Sequence, residues 1–364
     1  MGFNCGIIGL PNAGKSTIFN ALTGSTAAVA GYPFTTIDPN TGTVTLPDER
    51  LQNIAALTNP EKVTPATMEF VDVAGLVRGA HTGEGLGNQF LATIRNLPAL
   101  AHVVRCFDDE DVAHPEGGID PLRDIEIIET ELILADISTA QRRIDKVKKT
   151  AQTGDKDAKR ALLIYEKIYE VLDGGKPAST LAIVPEERAI FDEMQLLSAK
   201  PVLFIANVDE DSMAGGNDHT EKVRAAATDR GAGFVMISGK IEAELLDLDE
   251  GERTDYLKEL GLSETRLSQV IRAGYGLLRL VTFYTTVGPE LRAWSIPEET
   301  TAPAAAGKIH TDMERGFIRA EVLSSEDLFA SGGEHEAKET GKVRKEGKDY
   351  IIKDGDIVRI RFNV

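Results

Sequence analysis

GIIGLPNAGKST, residues 6–17, decides the fold. Gly9 is followed by four residues and then by Gly14-Lys15-Ser16, the spacing of a loop that cradles phosphate. Glycines let successive N–H groups of such a loop point inward at phosphate oxygens. The context fits: Phe3–Gly9 is an apolar run of strand length, and Lys15–Thr23 reads as a helix beginning at the loop. That helix offers its N-terminus to negative charge. Lys15 is placed to reach the β- and γ-phosphates, as a binding and catalytic group, and Ser16 to ligate Mg2+.

Three further motifs follow in order along the chain. Asp72-Val73-Ala74-Gly75 ends a second strand-like run, Met68–Val73; an Asp there holds Mg2+, and Gly75 bonds a γ-phosphate oxygen. Thr35-Thr36, within YPFTTIDPN, is a pair of which one hydroxyl closes on the metal when triphosphate is bound. Asn207-Val208-Asp209-Glu210 occupies the place where small G proteins carry Asn-Lys-x-Asp. The Asp of that motif accepts from N1–H and the 2-amino group of guanine. Here Lys is lost and Asp becomes the longer Glu210. Adenine lacks the 2-amino group and its N1 is an acceptor, so the motif favours ATP over GTP. A GTPase tolerant of Glu210 is the alternative.

Composition bounds the rest. The chain has 364 residues, 42% of them hydrophobic, enough for two or three domains with sizeable cores. No apolar run reaches membrane-spanning length, and the N-terminus reads as a strand rather than a secretory leader. Cys5 and Cys106 lie in apolar runs and read as reduced core residues of a cytoplasmic protein. The histidines and cysteines show no metal-ligand spacing. Net charge is −18, which repels nucleic acid from the molecule as a whole. Residues 141–160 reverse that sign, with eight basic residues, Arg142 to Arg160, against Asp145, Asp155 and Asp157.

Strand and helix patterns alternate from residue 3 to about 125, which argues for a mostly parallel sheet with helices on both faces. Apolar residues then recur at helical spacing, at Ile133, Ile137, Ala140, Ile144 and Val147, and again from Ala158 to Leu172. The polar turn TGDKD, 153–157, joins the two into an antiparallel hairpin, and a third helix starts at Pro185. Strand patterns resume at Val202–Ala206 and Phe234–Ile237, so the hairpin reads as an insertion. From Val281 short strand-like runs, 281–287, 316–322 and 350–363, alternate with turns, among them Pro303–Gly307 and Ser331–Gly333. The expected division is 1–125 with 200–280, an insert at 126–199, and a small α+β domain at 281–364.

These motifs together resemble the YchF/Obg-like ATPases. The matching stretches are GLPNAGKST, YPFTTIDPN, DVAGLVRGAHTGEGLGN, NVDE and SGK; APAAAGKIHTDMERGFI resembles that family's TGS domain. The resemblance implies an α/β P-loop NTPase of G-domain type, an inserted coiled-coil hairpin, and a ubiquitin-like β-grasp TGS domain. It implies a preference for ATP and a link to ribosomes and stress responses. Residue by residue, Asn12, Ala13, Gly14, Lys15, Ser16 and Thr17 surround the phosphates; Ser16 and Thr36 join Asp72 as Mg2+ ligands; Asn207 and Val208 line the adenine site; and Glu210, Ser238 and Gly239 are further nucleotide-binding candidates. Asn12 is the candidate for a K+ ion beside the phosphates.

Leu76 follows Gly75 where a water-orienting glutamine often stands, so another group orients the water or turnover is slow. His81, in a glycine-rich loop, and His114, in an acidic loop, are the candidates, since histidine accepts a proton near neutral pH. The resemblance favours His114. The basic tip at 142–160 lacks interleaved aromatics, which points to phosphate contact with rRNA, not base stacking. The expected partners are ATP and ADP and the ribosome, through its large subunit, with the TGS-like domain as a second contact; the protein is expected to be monomeric and off the membrane. Two functional classes fit: a slow ATP hydrolase acting as a ribosomal switch, and a nucleotide-gated RNA- or ribosome-binding module whose hydrolysis is incidental.

Overall fold

The structure, a computed structural model, describes residues 3–27, 41–73, 86–109 and 111–363. It forms two compact units, one of residues 3–42 and 69–274, the other of 43–68 and 275–364.

The first unit is an α/β structure. Its strands are β1 (Asn4–Ile8), β4 (Thr67–Asp72), β5 (Ala99–Arg105), β6 (Val202–Asn207) and β7 (Gly233–Ile237), with β2 (Thr41–Thr45) at the sheet edge. The order is β2-β4-β1-β5-β6-β7. β1 pairs with β4 and β5, β5 with β6 and β6 with β7, all in parallel. Residues of β5 are buried throughout, as a central strand covered on both faces requires. Because the strands run in parallel, the loops leaving β1, β4, β5, β6 and β7 gather at one edge. The order reverses at β1, the position where α/β sheets bind ligands.

Helix α1 (Lys15–Ala27) leaves the loop after β1; α2 (Glu49–Thr58) and α3 (Leu86–Arg95) follow in sequence. The two long helices are α4 (Pro121–Gln152) and α5 (Lys156–Asp173). Asp120 caps α4 by accepting from the Arg123 N–H, with Pro121 in the first turn, and Asp155 caps α5 through the Ala158 N–H. The polar turn expected at 153–157 is therefore shorter, its last two residues being helical. The N-terminal half of α4 packs Ile127, Ile128, Leu132 and Ala135 against Ile8, Leu10, Phe90 and Ile94. Its C-terminal half turns Ile133, Ala140 and Ile144 toward Ile164, Tyr165, Ile168 and Leu172 of α5. α4 thus spans two apolar clusters and begins five residues before the boundary expected at 126.

The second unit carries a six-stranded sheet ordered β11-β10-β12-β8-β9-β3. Its strands are β3 (Lys62–Thr64), β8 (Leu280–Val287), β9 (Glu290–Pro297), β10 (Phe317–Ser324), β11 (Arg344–Glu346) and β12 (Asp356–Phe362). β8 and β9 form an antiparallel hairpin, while β3, from far upstream, joins β9 in parallel. The segment 43–68 is fixed there by polar contacts: the buried Tyr284 hydroxyl donates to Asp48, and Arg50 donates to Asp48 (3.1 Å) and Asp354 (2.6 Å). The sequence pattern gave no hint of this excursion. One expected loop is corrected: Pro303–Gly307 lies inside a helix, Ala302–Ile309. Its Pro sits in the first turn, where no N–H is needed, and the alanines favour helix once Ala302, Ala305 and Ala306 find a core to pack in.

Candidate functional site

The loop after β1 is held in a conformation that its residues permit and most would resist. Gly9 and Gly14 have φ of +150° and +91°, and Asn12 has φ of +63°, a left-handed value that Asn tolerates better than most residues. A Cβ at Gly14 would stand 2.1 Å from Asn207 Nδ2, and one at Gly9 would stand 2.4 Å from the Val103 carbonyl. The loop is therefore pressed against β5 and β6, and only glycine permits that approach.

Lys15 opens α1 with a nearly buried side chain whose ammonium donates to the Leu10 carbonyl at 2.7 Å. Burial lowers its pKa to about 8, opposed by the nearby Asp72 carboxylate. Ser16 and Thr17, in the same first turn, are exposed, and the Ser16 hydroxyl donates to Asp72 Oδ2 at 3.1 Å. Two hard oxygen donors, one from the start of α1 and one from the end of β4, thus converge beside the loop, a donor set suited to Mg2+. Thr36, Thr35, Gly75, Leu76 and His81 lie outside the described residues.

Asn207 ends β6 and ties three segments together. Its Nδ2 donates to the Ala13 carbonyl (2.9 Å), and its Oδ1 accepts from the Gly239 N–H (3.0 Å). The buried side chain thereby connects the phosphate loop to the Ser238-Gly239 turn after β7. Ser238 caps the short helix that follows. Val208 donates its N–H to Ile237 O, and its side chain is packed among Cys106, Met213 and Ile241. Glu210 is exposed; burial first, and then the charge of Glu210, raise the pKa of the nearby Tyr256 hydroxyl.

The loop after β5 brings His114 to this edge. Arg105, buried at the end of β5, donates to the carbonyls of Phe107 (3.2 Å), Asp109 (3.2 Å) and Val112 (2.8 Å) and so shapes the loop. The Asn12 side-chain amide donates to the Ala113 carbonyl at 2.9 Å, linking the loop to the phosphate loop. His114 follows directly. Its Nε2 is 2.9 Å from Asp124 Oδ2, and its Nδ1 accepts from the Glu116 N–H at 3.1 Å. That acceptor role leaves the ring proton on Nε2, donated to Asp124. Arg123 completes the group, donating to Asp124 Oδ1 (3.2 Å) and to the Gly118 carbonyl (2.5 Å).

The structure therefore brings Asn12 to Thr17, Asp72, Asn207, Ser238, Gly239 and His114 to one edge of the sheet. Sequence reading passed over Arg105, Arg123, Asp124 and Tyr256. Arg105 carried one signal, a lone charge closing the apolar run ALAHVV; the others had none, because no spacing rule links a loop residue such as His114 to the first turn of the helix that follows it.

Such a loop on such a sheet, backed by an asparagine that bridges it to the next turn, defines a phosphate-loop nucleotide-binding protein of the GTPase-like α/β class. A family model described as a 50S ribosome-binding GTPase matches residues 4–167, and one described as YchF-GTPase_C, a protein of unknown function, matches residues 280–363. The chain is 50% identical over 364 residues to the ribosome-binding ATPase YchF of Escherichia coli O157:H7, with 100% of both chains covered. It is 48% identical over 366 residues to the protein of that name from Bacillus subtilis, again with 100% of both covered. A solved structure titled as the YchF GTPase of Schizosaccharomyces pombe superposes with a TM-score of 0.90 at 34% identity, covering 99% of this chain and 97% of that one. The chain belongs to the YchF family.

Proposed function

We propose that this protein binds ATP at the loop after β1, hydrolyses it slowly, and uses the nucleotide state to regulate its association with the ribosome. The carrying observation is the placement of Asn207-Val208-Asp209-Glu210 at the end of β6, with Asn207 bonded to the phosphate loop. That bond supports a reading in which the residues after Asn207 face the base. Val208 brings no cation, and Glu210 is a longer group than the aspartate that matches guanine. Adenine asks for neither feature.

Lys15 and the loop N–H groups hold the phosphates. Ser16 and Asp72, with Thr36, would hold Mg2+, which when bound neutralises charge on the phosphate oxygens. Asn12, whose amide reaches Ala113, is the proposed neighbour of a K+ ion; rates in K+ and Na+ test that. His114, next to the residue that Asn12 holds, is the group proposed to receive a proton from the attacking water, with His81 as the alternative. The paired helices α4 and α5 correspond to the proposed coiled-coil insert. Their tip touches rRNA phosphates of the large subunit, and the C-terminal unit, a β-grasp TGS-like module, gives the second contact. The protein acts as a cytoplasmic monomer in translation or the stress response.

Calorimetry with ADP and GDP tests the base reading. ADP binds at least about tenfold more tightly, and Val208→Lys with Glu210→Asp narrows or inverts that ratio. Tighter GDP binding by the unaltered chain overturns the proposal.

A further inference from the structure

We propose that Asp124 is a positioning residue for hydrolysis, forming with His114 a buried dyad in which His114 Nδ1, not Nε2, is the proton acceptor. The inference rests on the reading of His114 given above and deepens it.

The geometry is specific. His114 Nε2 and Asp124 Oδ2 are 2.9 Å apart, with the two side chains only 6% and 4% exposed. Such a carboxylate fixes the ring's tautomer and orientation and favours the imidazolium once a proton arrives. Asp124 is itself over-determined: it lies in the first turn of α4 and its other oxygen accepts from Arg123. Among the described residues, the charged side chains bonded to the ring are Asp124 and Arg123 from α4, with Arg123 Nη2 3.5 Å from Nδ1, and Glu116 lies beside it in the loop. Arg105 braces the loop from β5, and the Cys106 thiol, pushed up to about 12 by burial and then by Asp124, stays neutral.

The two ring nitrogens are held unequally. Nε2 donates to a buried carboxylate, whereas Nδ1 accepts from the Glu116 N–H at 3.1 Å and from the Arg123 guanidinium at 3.5 Å. A water O–H that takes the place of the Glu116 N–H at Nδ1 leaves the carboxylate pair at Nε2 intact. Breaking the Nε2 pair would leave buried Asp124 with Arg123 alone, on its other oxygen. The step is then balanced. Water oxygen bonds to the γ-phosphorus while one of its protons passes to Nδ1. The bond from phosphorus to the bridging oxygen breaks, and its electron pair stays on ADP. The imidazolium, paired with Asp124, returns its proton to phosphate or solvent.

The position of the dyad also joins two parts of the first unit. Ala113, beside His114, is held by Asn12 of the phosphate loop, and Asp124 belongs to the helix whose far end carries the basic tip. A disturbance of α4 therefore reaches the proton acceptor through one side chain.

The test is ATP turnover as a function of pH for the unaltered chain, His114→Ala, Asp124→Asn and Asp124→Glu, with ADP affinity by calorimetry and thermal melts beside it. His114→Ala is expected to lose about a hundredfold in turnover together with the histidine limb of the pH profile. Asp124→Asn is expected to lose roughly tenfold, to move that limb to lower pH, and to leave ADP affinity within about twofold. Asp124→Glu, which keeps the charge and displaces the oxygens, keeps the limb near its original pH at reduced turnover. Full turnover by His114→Ala overturns the underlying reading of His114. Loss in His114→Ala with unchanged turnover and pH limb in both Asp124 variants overturns the dyad alone. Faster turnover in Asp124→Asn would make the pair a latch on His114 and overturns it as well.

Discussion

Helix α4 ends in two different chemistries. At its N-terminal half, Asp124 and Asp136 are buried carboxylates, and both are enclosed by donors. Asp136 is fully buried and accepts from the N–H groups of Leu197 (2.9 Å) and Ser198 (2.8 Å) and from the Ser198 hydroxyl (2.7 Å). At the other end Lys146, Lys148 and Lys149, with Lys156 and Lys159 on α5, are exposed and make no ion pair among the described residues. The neighbouring arginines are occupied: Arg142 bonds Ser138 O, Arg143 bonds Glu193, and Arg160 bonds the Glu186 carbonyl. The basic tip is thus a group of free lysines among internally bonded arginines. A charge inside the protein has to be matched by the fold, whereas a charge at the tip is matched by water and is free to exchange water for phosphate. The buried half holds shape and the exposed half is available for binding.

The sharpest way to break that comparison is at Asp136. Asp136→Ala strips three donors of their acceptor at a fully buried position, and a loss of about 3–5 kcal/mol in denaturant unfolding is expected. A loss below about 1 kcal/mol would mean that the donors find other partners and that the buried end is not fixed as described.

Glu242 sharpens the contrast, because it is a buried carboxyl less well provided for. One oxygen accepts from the Arg266 N–H at 2.7 Å, while Oε2 has no hydrogen-bond partner among the described residues. Burial raises its pKa from 4.5 to about 7, against the pull of Arg266 and Arg253. The folded state then holds a proton that the unfolded chain releases at lower pH. Stability from this group is full below pH 4.5, declines as pH rises, and is lost above about 7. Glu242→Gln is expected to flatten that decline, worth up to about 3 kcal/mol, when melts are compared across the interval. Identical slopes in both proteins would show that Glu242 is ionised throughout.

The smallest expected effect is at the tip. Replacing Lys146, Lys148 and Lys149 by Glu leaves unfolding free energy within about 0.5 kcal/mol and ATP turnover unchanged in the free protein. Ribosome pelleting weakens by about tenfold, and the dependence of log affinity on log salt flattens by about 2. Undiminished pelleting would move the ribosome contact elsewhere.

Much of the site was legible because it is local. Gly9, Gly14, Lys15 and Ser16 declare themselves by spacing, since one loop must supply all the inward N–H groups and one helix turn the hydroxyl. The strands flanking it were visible as short apolar runs, Met68–Val73 falling on Thr67–Asp72 and Val202–Ala206 on Val202–Asn207. The hairpin showed in its helical period. The helix at Ala302–Ile309 was read as a loop because Pro and Gly weigh heavily in a local reading, while the core that holds its alanines is assembled from distant strands.

By itself the sequence determined the parallel α/β core, the phosphate loop, the long helical pair and the departure from the guanine-reading motif, because each is written in neighbouring residues or in a period. Tertiary structure alone decided that residues 43–68 complete the second unit, that Asn207 bridges the loop to Gly239, and that His114 meets Asp124. Those pairings join residues that no spacing rule connects. They exist because a buried polar group has to find its partner wherever the packed chain brings one within about 3 Å.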